Sequence, residues 1–458
     1  TGAMTSEAAA ISAFLAHHNI AEVEQFDALF EAPALLYKKP QFGQRPRRAT
    51  VVTTTGGGGA MVVDQLCLRG VEVAGLSADA QRFFQAHNIP HGSGKLVDVT
   101  LAGAQYDVMK AAISQLISDP WSGLIVVAIG SSAQFNPELA VKPIIDAVRD
   151  MPTGAPVVAF PLPIARESMA MLEAAHIPCF STVESCADSI SLFLSGGTDN
   201  TGQTSHSNTD QKAVEKALHH VISKKQSGGT DGLLNEVDSH SIFSAIFSAI
   251  GMTGPRQSFI PSHDDLHAIA PQRAKHDGLR YPLVAKLVSS DLPHKSEHGA
   301  IMLDIADAAE LSLAVAKMLE TTKMSAPHAH IDGVLLQEMV SGLGEALIGL
   351  RQDNLVGPII TVGAGGIFAE IYQDVSHRPA PVSIETARQM IAEVRGFASL
   401  RGYRGRPEGD LEALAQSIEV FSQLGQYQQI AEAEINPILV CESGVVMLDA
   451  LIRLAPQT

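Results

Sequence analysis

Basic residues are scarce in this sequence. Lysine and arginine total 32 against 49 aspartates and glutamates, a formal net charge of −17 with a pI near 5.4. No basic stripe is left over to neutralise a phosphate backbone, which argues against nucleic acid as a partner. Cysteine is scarcer still. Cys67, Cys179, Cys186 and Cys441 show no CxxC spacing and fall in apolar or amphipathic stretches, where buried free thiols in a reducing cytoplasm are the expectation. Long hydrophobic runs are missing too. Leu124 to Ile129 is far short of the roughly 20 apolar residues of a membrane helix, and the N-terminus has no basic-then-apolar leader, so a cytoplasmic protein without a membrane partner is expected.

What remains is a folded composition, 46% hydrophobic and 18% charged over 458 residues. At about 100 to 200 residues per domain, that length accommodates two to four units. The chain opens at Thr1 without an initiator methionine, and Thr1 to Leu15 reads as a loop running into an amphipathic helix, the start of a fragment of something longer. From Arg47 to Leu194, apolar runs (Ala49 to Val52, Val71 to Leu76, Gly123 to Ile129, Pro156 to Phe160) alternate with helical patterns. That alternation predicts a parallel sheet with helices on both faces. The stretch Ser195 to Asp210 has no aliphatic or aromatic side chain and reads as a flexible linker, followed by a polar helix around Gln211 to Lys224 and a second Gly-rich break. Asp238 or Ser239 is then expected to cap a helix carrying Ile242, Phe243, Ile246, Phe247 and Ile250 on one face, and a second unit begins there. The expected organisation is a domain over residues 1–195 with a helical lead-in, a linker over 196–231 and a two-part α+β domain over 232–458.

Gly56, Gly57, Gly58 and Gly59 follow the strand Ala49 to Val52 and precede a helix, presenting backbone N–H groups and a helix N-terminus above the sheet. This is an anion site in outline or a tight turn. A GxGxxG fit puts Met61 where the third glycine belongs, which weakens a dinucleotide reading. In the second unit Lys286 sits near the end of an apolar strand beside the polar loop Ser289 to Gly299. It either meets nucleotide phosphates or extends its amine from a sheet edge into water. His294 in that loop lies between Pro293 and Lys295, with Glu297 able to orient its ring, or is an ordinary surface histidine.

Near the C-terminus, Ala433 to Ile452 reads as a hairpin. A two-residue turn at Glu442 and Ser443 pairs positions summing to 885, so Asn436 faces Asp449 and Glu434 shares their face. Hard oxygens so placed suit magnesium; a turn centred on Ser443 alone would separate them, leaving an ordinary solvated hairpin. The glycines of Gly357 to Gly366, with Glu370, Asp374 and Arg378 beyond, allow close approach of backbone to a ligand or simply tight packing. Gln337 and Glu338 either hydrogen-bond an adenosine or end a strand.

Five segments in order, YPLVAKLVSSDLPHKSEHGA, VLLQEMVSGLGEALIGLRQD, GPIITVGAGGIFAEIYQDVSHRPAPV, LRGYRGRP and EINPILV followed by LDALIRL, resemble the ATP-grasp domain of the ADP-forming acetyl-CoA synthetase (acetate–CoA ligase) family, related to succinyl-CoA synthetase. VVTTTGGGGAMVVDQL, KLVDVTLAG and FSTVESCADSI resemble that family's flavodoxin-like ligase domain. The resemblance implies ATP, Mg2+ and coenzyme A as ligands. It casts Lys286 as the lysine on the ATP phosphates, Gln337 and Glu338 as the adenosine-contacting hinge, and Asn436 and Asp449 as magnesium ligands, with Glu434, Glu345 and Arg378 at motif positions nearby. His294 matches the histidine of the HKSD motif, written HKSE here, proposed in the family to accept phosphate. It further implies a CoA-binding domain or separate subunit bearing the main phosphohistidine, a small carboxylic acid substrate and an oligomeric assembly. The activity it implies is an acyl-CoA synthetase; a protein acyltransferase relative and a nucleotide- or CoA-sensing subunit without turnover are the alternatives.

Overall fold

Six consecutive buried residues, Leu124–Ile129, form a strand with core on both of its faces, as a central parallel strand requires. The computed structural model that shows this describes residues 7–38, 42–92, 94–100, 105–195, 211–225, 232–292, 295–366 and 374–456. The chain divides into two units, one of Asn19–Asp199 and one combining Thr1–His18 with Asn200–Thr458.

In the first unit, β1 (Arg48–Thr53), β2 (Glu72–Val73), β3 (Leu96–Asp98), β4 (Leu124–Ile129) and β5 (Val157–Pro161) build one parallel sheet. β4 pairs with β1 over Ala49 to Thr53, so β2 and β3 share the other edge of β1, β2 at its start and β3 at its end. β5 lies outside β4. Chain leaving β1 returns to one edge and chain leaving β4 to the opposite edge, which makes the β1/β4 boundary the switch point of a doubly wound, flavodoxin-like sheet. The expected strand Val71 to Leu76 shrinks to two residues. Of the cysteines, Cys179 and Cys186 are buried free thiols as expected, whereas Cys67 is exposed and Cys441 half-buried.

The second unit contains two antiparallel sheets. β6 (Gln257–Pro261), β7 (Leu283–Val288), β8 (Ile301–Ile305) and β9 (Gly333–Glu338) pair in the order β6-β9-β7-β8 and pack on the helices Leu266–His276 and Ala308–Ser325. β10 (Gly344–Asp353), β11 (Gly357–Ala364), β12 (Val375–Pro379), β13 (Ile430–Val440), β14 (Val445–Met447) and β15 (Leu451–Leu454) form the larger sheet, ordered β12-β11-β10-β13-β14, with β15 also on β13. Helices Glu236–Phe247 and Leu411–Ser422 cover it through Phe243, Phe247 and Phe421, whose rings stack. Residues 196–210 and 226–231 of the expected linker lie outside the described residues. The helix Gln211–Lys225 between them is not a spacer, since Val214, Leu218 and Val221 are buried in the core of the large sheet. The N-cap expected at Asp238 or Ser239 is Asn235, whose side chain accepts from the Asp238 N–H at 2.9 Å; Glu236 is thereby the first helical residue.

Candidate nucleotide site

Lys286 comes from the middle of an otherwise aliphatic strand, LVAKLV, every residue of which is buried. A buried ammonium needs a partner, and Lys286 Nζ has two: Glu236 Oε1 at 2.6 Å and the Leu448 carbonyl at 2.8 Å. Glu236 in turn receives Lys295 Nζ at 3.2 Å on its other oxygen, and Lys295 also pairs with Asp449 at 3.6 Å. His240, one turn along the helix, brings Nε2 to 3.8 Å from Glu236 Oε1. Burial pushes the Glu236 carboxyl up, but Lys286 and Lys295, with the hydrogen bond from Lys286 and His240 close by, outweigh it and hold the group well below 4.5. Burial likewise opposes the charge on Lys295, and Asp449 and Glu236 more than reverse that, so its ammonium stays charged above the ordinary lysine range. The strand lysine and the C-terminal ribbon, 162 residues apart in sequence, therefore meet in one largely buried cluster.

The ribbon carries the register read from the sequence. Val440 pairs with Val445, Leu439 with Val446 and Ile438 with Met447; the same sum of 885 returns at Ala433 with Ile452 and Glu434 with Leu451. Regular pairing lapses between them. Asn436 and Pro437, joined by a cis peptide, together oppose the single residue Leu347, and Asp449 lies between β14 and β15 rather than on a strand. The result is a bulge that lifts Asn436 and Asp449 out of the ladder. Asn436 Oδ1 accepts from the Gly366 N–H at 3.3 Å, and a Cβ on Gly366 would stand 2.4 Å from Glu345 Oε2. Glu345, Gly366 and Asn436 therefore meet at this end of the sheet. Glu434 is buried two residues before Asn436. Among the described residues no three His, Cys, Asp or Glu side chains gather as metal ligands.

Other residues picked from the sequence stand apart from this cluster. Gln337 donates through Nε2 to Gln257 Oε1 at 2.8 Å across the β6/β9 ladder. Glu338 accepts from the Arg280 N–H and pairs with its guanidinium at 3.1 Å, with Arg256 at 3.9 Å; the Arg280 hydrogen bond holds its carboxyl below the usual range. Arg378 does not reach the ribbon. Its strand lies three places from β13, about 14 Å across a sheet, and its guanidinium pairs with Glu393. Pro293, His294 and Glu370 lie outside the described residues. Glu236 and Lys295 were not singled out from the sequence; an acid at the first position of a helix reads as a dipole-favoured surface charge, and nothing local marks it as buried.

In the first unit the four glycines are not a loop but the opening turn of the helix Gly56–Leu68, with Thr55 as N-cap. They divide in function. A Cβ on Gly59 would meet Thr53 Cβ at 2.7 Å and Leu96 Cδ1 at 2.8 Å, and one on Gly58 Thr55 Cγ2 at 2.8 Å, so these two let the helix close on β1 and β3. A Cβ on Gly57 meets nothing within 4 Å. Gly59→Ala is expected to destabilise this unit by about 1 to 3 kcal/mol through overpacking, whereas Gly57→Ala stabilises it by about 0.4 to 1 kcal/mol; urea unfolding of the two variants checks the contrast. The helix N-terminus sits at the switch point, where the Gly130 N–H after β4 donates to Thr54 Oγ1 at 2.9 Å.

A lysine on an antiparallel sheet facing hard oxygens of a second sheet is the arrangement of an ATP-grasp protein, and residues 228–454 match the family model described as ATP-grasp domain. Acetate–CoA ligase (ADP-forming) I of Archaeoglobus fulgidus is 36% identical over 174 residues, 38% of this chain and 25% of that protein. The beta subunit of acetate–CoA ligase (ADP-forming) I of Pyrococcus furiosus is 35% identical over 171 residues, 37% of this chain and 74% of that subunit. A solved structure from Ca. Korarchaeum cryptofilum, dinucleotide forming acetyl-coenzyme A synthetase 1 in complex with coenzyme A, Ca-AMPCP and HgCl+, is 29% identical, covering 52% of this chain and 99% of that one with a TM-score of 0.47. The chain belongs to the ADP-forming acetate–CoA ligase family of the succinyl-CoA synthetase superfamily. The match spans only about a quarter of the Archaeoglobus protein's length. Among the described residues no helix is long and apolar enough to cross a membrane.

Proposed function

We propose that this chain supplies the ligase and nucleotide-binding modules of a cytoplasmic ADP-forming acyl-CoA synthetase, joining a small carboxylic acid to coenzyme A at the expense of ATP. The observation that carries the reading is the convergence of Lys286 and Lys295 on buried Glu236, with Asp449 pairing with Lys295 from the other side. Two lysine side chains brought together in this way are a receptor for phosphate oxygens. Asp449 already faces a cation, the Lys295 ammonium at 3.6 Å, which supports the fit of Mg2+ to its carboxylate and the Asn436 amide, with Glu434 beside them. When bound, the ion neutralises and aligns the phosphates. Gln337 and Glu338 would hold the adenosine, Glu345 would support Asn436, and Arg378 would serve a phosphate only by leaving Glu393.

A free carboxylate is a poor acyl donor, so phosphorylation must create a leaving group before a thiol attacks. In the proposed sequence a histidine nitrogen takes the γ-phosphoryl group and ADP leaves. The acid's carboxylate then displaces the histidine to form an acyl phosphate, and the CoA thiolate expels inorganic phosphate. The helix at Gly56, Gly57, Gly58 and Gly59 would face the phosphohistidine, which a CoA-binding module or partner subunit brings into an oligomeric assembly. His294 would be a second phosphate acceptor.

The test is ADP release by this chain with its CoA-binding partner, CoA and a panel of acids. The expected result is ADP formed in step with acyl-CoA. ATP binding without ADP formation would overturn the ligase reading in favour of a sensor.

A further inference from the structure

Lys295 is the one member of the cluster that touches both of its acids. It opens a short 3-10 turn, Lys295–His298, within the polar loop, and its side chain is 13% exposed, so the amine reaches inward to the buried acid. Glu236, wholly buried, gives one oxygen to Lys286 at 2.6 Å and the other to Lys295 at 3.2 Å. The longer contact, 3.6 Å, is to Asp449, which is about one-third exposed and is the residue assigned above to the cation. Two acids and two ammonium groups balance.

An entering triphosphate with its divalent ion disturbs that balance in one direction. Asp449 cannot turn its oxygens to a dication and keep Lys295, because the two cations repel at such range. Glu236 has no exposed surface from which to leave, so Lys295 keeps one anchor and loses the other. The acceptors then nearest are phosphate oxygens at Lys286. We propose that Lys295 is a second phosphate-binding lysine, pivoting on Glu236 and released by Asp449 when that carboxylate takes the cation accompanying the phosphates. The inference rests on the nucleotide reading and adds a coupling to it: metal and phosphate binding are linked through one side chain.

Calorimetric titration with β,γ-methylene-ATP, with Mg2+ and in EDTA, reads this without turnover. Lys295→Gln is expected to weaken binding about tenfold or more in Mg2+, the loss of one charge-assisted contact, and by less than about twofold in EDTA. Asp449→Asn frees Lys295 in advance, so it should bind the metal-free analogue about three- to tenfold more tightly than the native protein and gain nothing from Mg2+. Lys295→Arg should retain the Mg2+-dependent gain. Equal weakening of Lys295→Gln in both conditions, or an Asp449→Asn protein no tighter in EDTA, would overturn the proposal while leaving the nucleotide site intact. If Lys295→Gln does not fold, Asp449→Asn decides alone. A native protein that binds the analogue in neither condition would remove the nucleotide reading itself.

Discussion

Lys286→Met should lose about 100-fold in affinity for ATP, the upper part of the 1.5 to 3 kcal/mol expected for a hydrogen bond to a charged group. The same substitution should lower the stability of the second unit by about 3 kcal/mol, because Glu236 is left with a single ammonium in a buried position. For a unit made of Thr1–His18 and Asn200–Thr458 that is a fall in Tm of about 5 °C. The two effects have different causes and can be separated. Lys286→Met/Glu236→Gln removes the orphaned carboxylate along with the amine and should recover most of the stability while binding ATP no better than the single variant. Scanning calorimetry and titration with ATP on the three proteins provide the measurement. A Lys286→Met protein that keeps native affinity would show that the amine serves only to neutralise Glu236, and the phosphate role would fall.

The contrast between Lys286 and Glu236 shows what the sequence makes legible. A lysine inside LVAKLV breaks an aliphatic strand, and such a break is visible without a structure. The ribbon is legible in part: the sequence allows a turn at Glu442 and Ser443 or one centred on Ser443 alone, and Val440 paired with Val445 obeys the first. Neither pattern discloses the bulge at Asn436 and Pro437, which arises where β13 meets Leu347 of a strand about 90 residues earlier. Glu236 was hidden because its partners are Lys286 and Lys295, 50 and more residues on, and helix-start acids usually face water. The surroundings of Arg378 are hidden in the same way: a basic residue beyond a glycine loop suits a phosphate, and nothing local announces that Glu393 of the following helix pairs with it. The run Gly56 to Gly59 looked like a loop because glycine disfavours helix interiors. Thr53 and Leu96 press so closely on that turn that only glycine fits at Gly59.

Glu236 also sets a pH dependence. Its carboxyl is held well below 4.5 in the folded chain, with burial opposed and overcome by Lys286 and Lys295. A group whose pKa is depressed by folding contributes stability above its unfolded value and loses that contribution as pH falls toward the folded value. The stabilisation is therefore whole at pH 7, begins to decline below about pH 4.5, and declines further on approach to the folded pKa. Glu236→Gln removes the titration and leaves two ammonium groups facing a neutral amide, a loss of about 3 to 5 kcal/mol at pH 7. The gap between native and variant proteins should shrink as acid is added, because the native protein alone binds the extra proton more readily when unfolded. Urea denaturation at pH 7 and at pH 3.5 checks the sign, since urea leaves the charges unscreened. A gap of constant size at both values would mean that Glu236 is not held ionised by its lysines, and the charge balance of the cluster would have to be assigned to other groups.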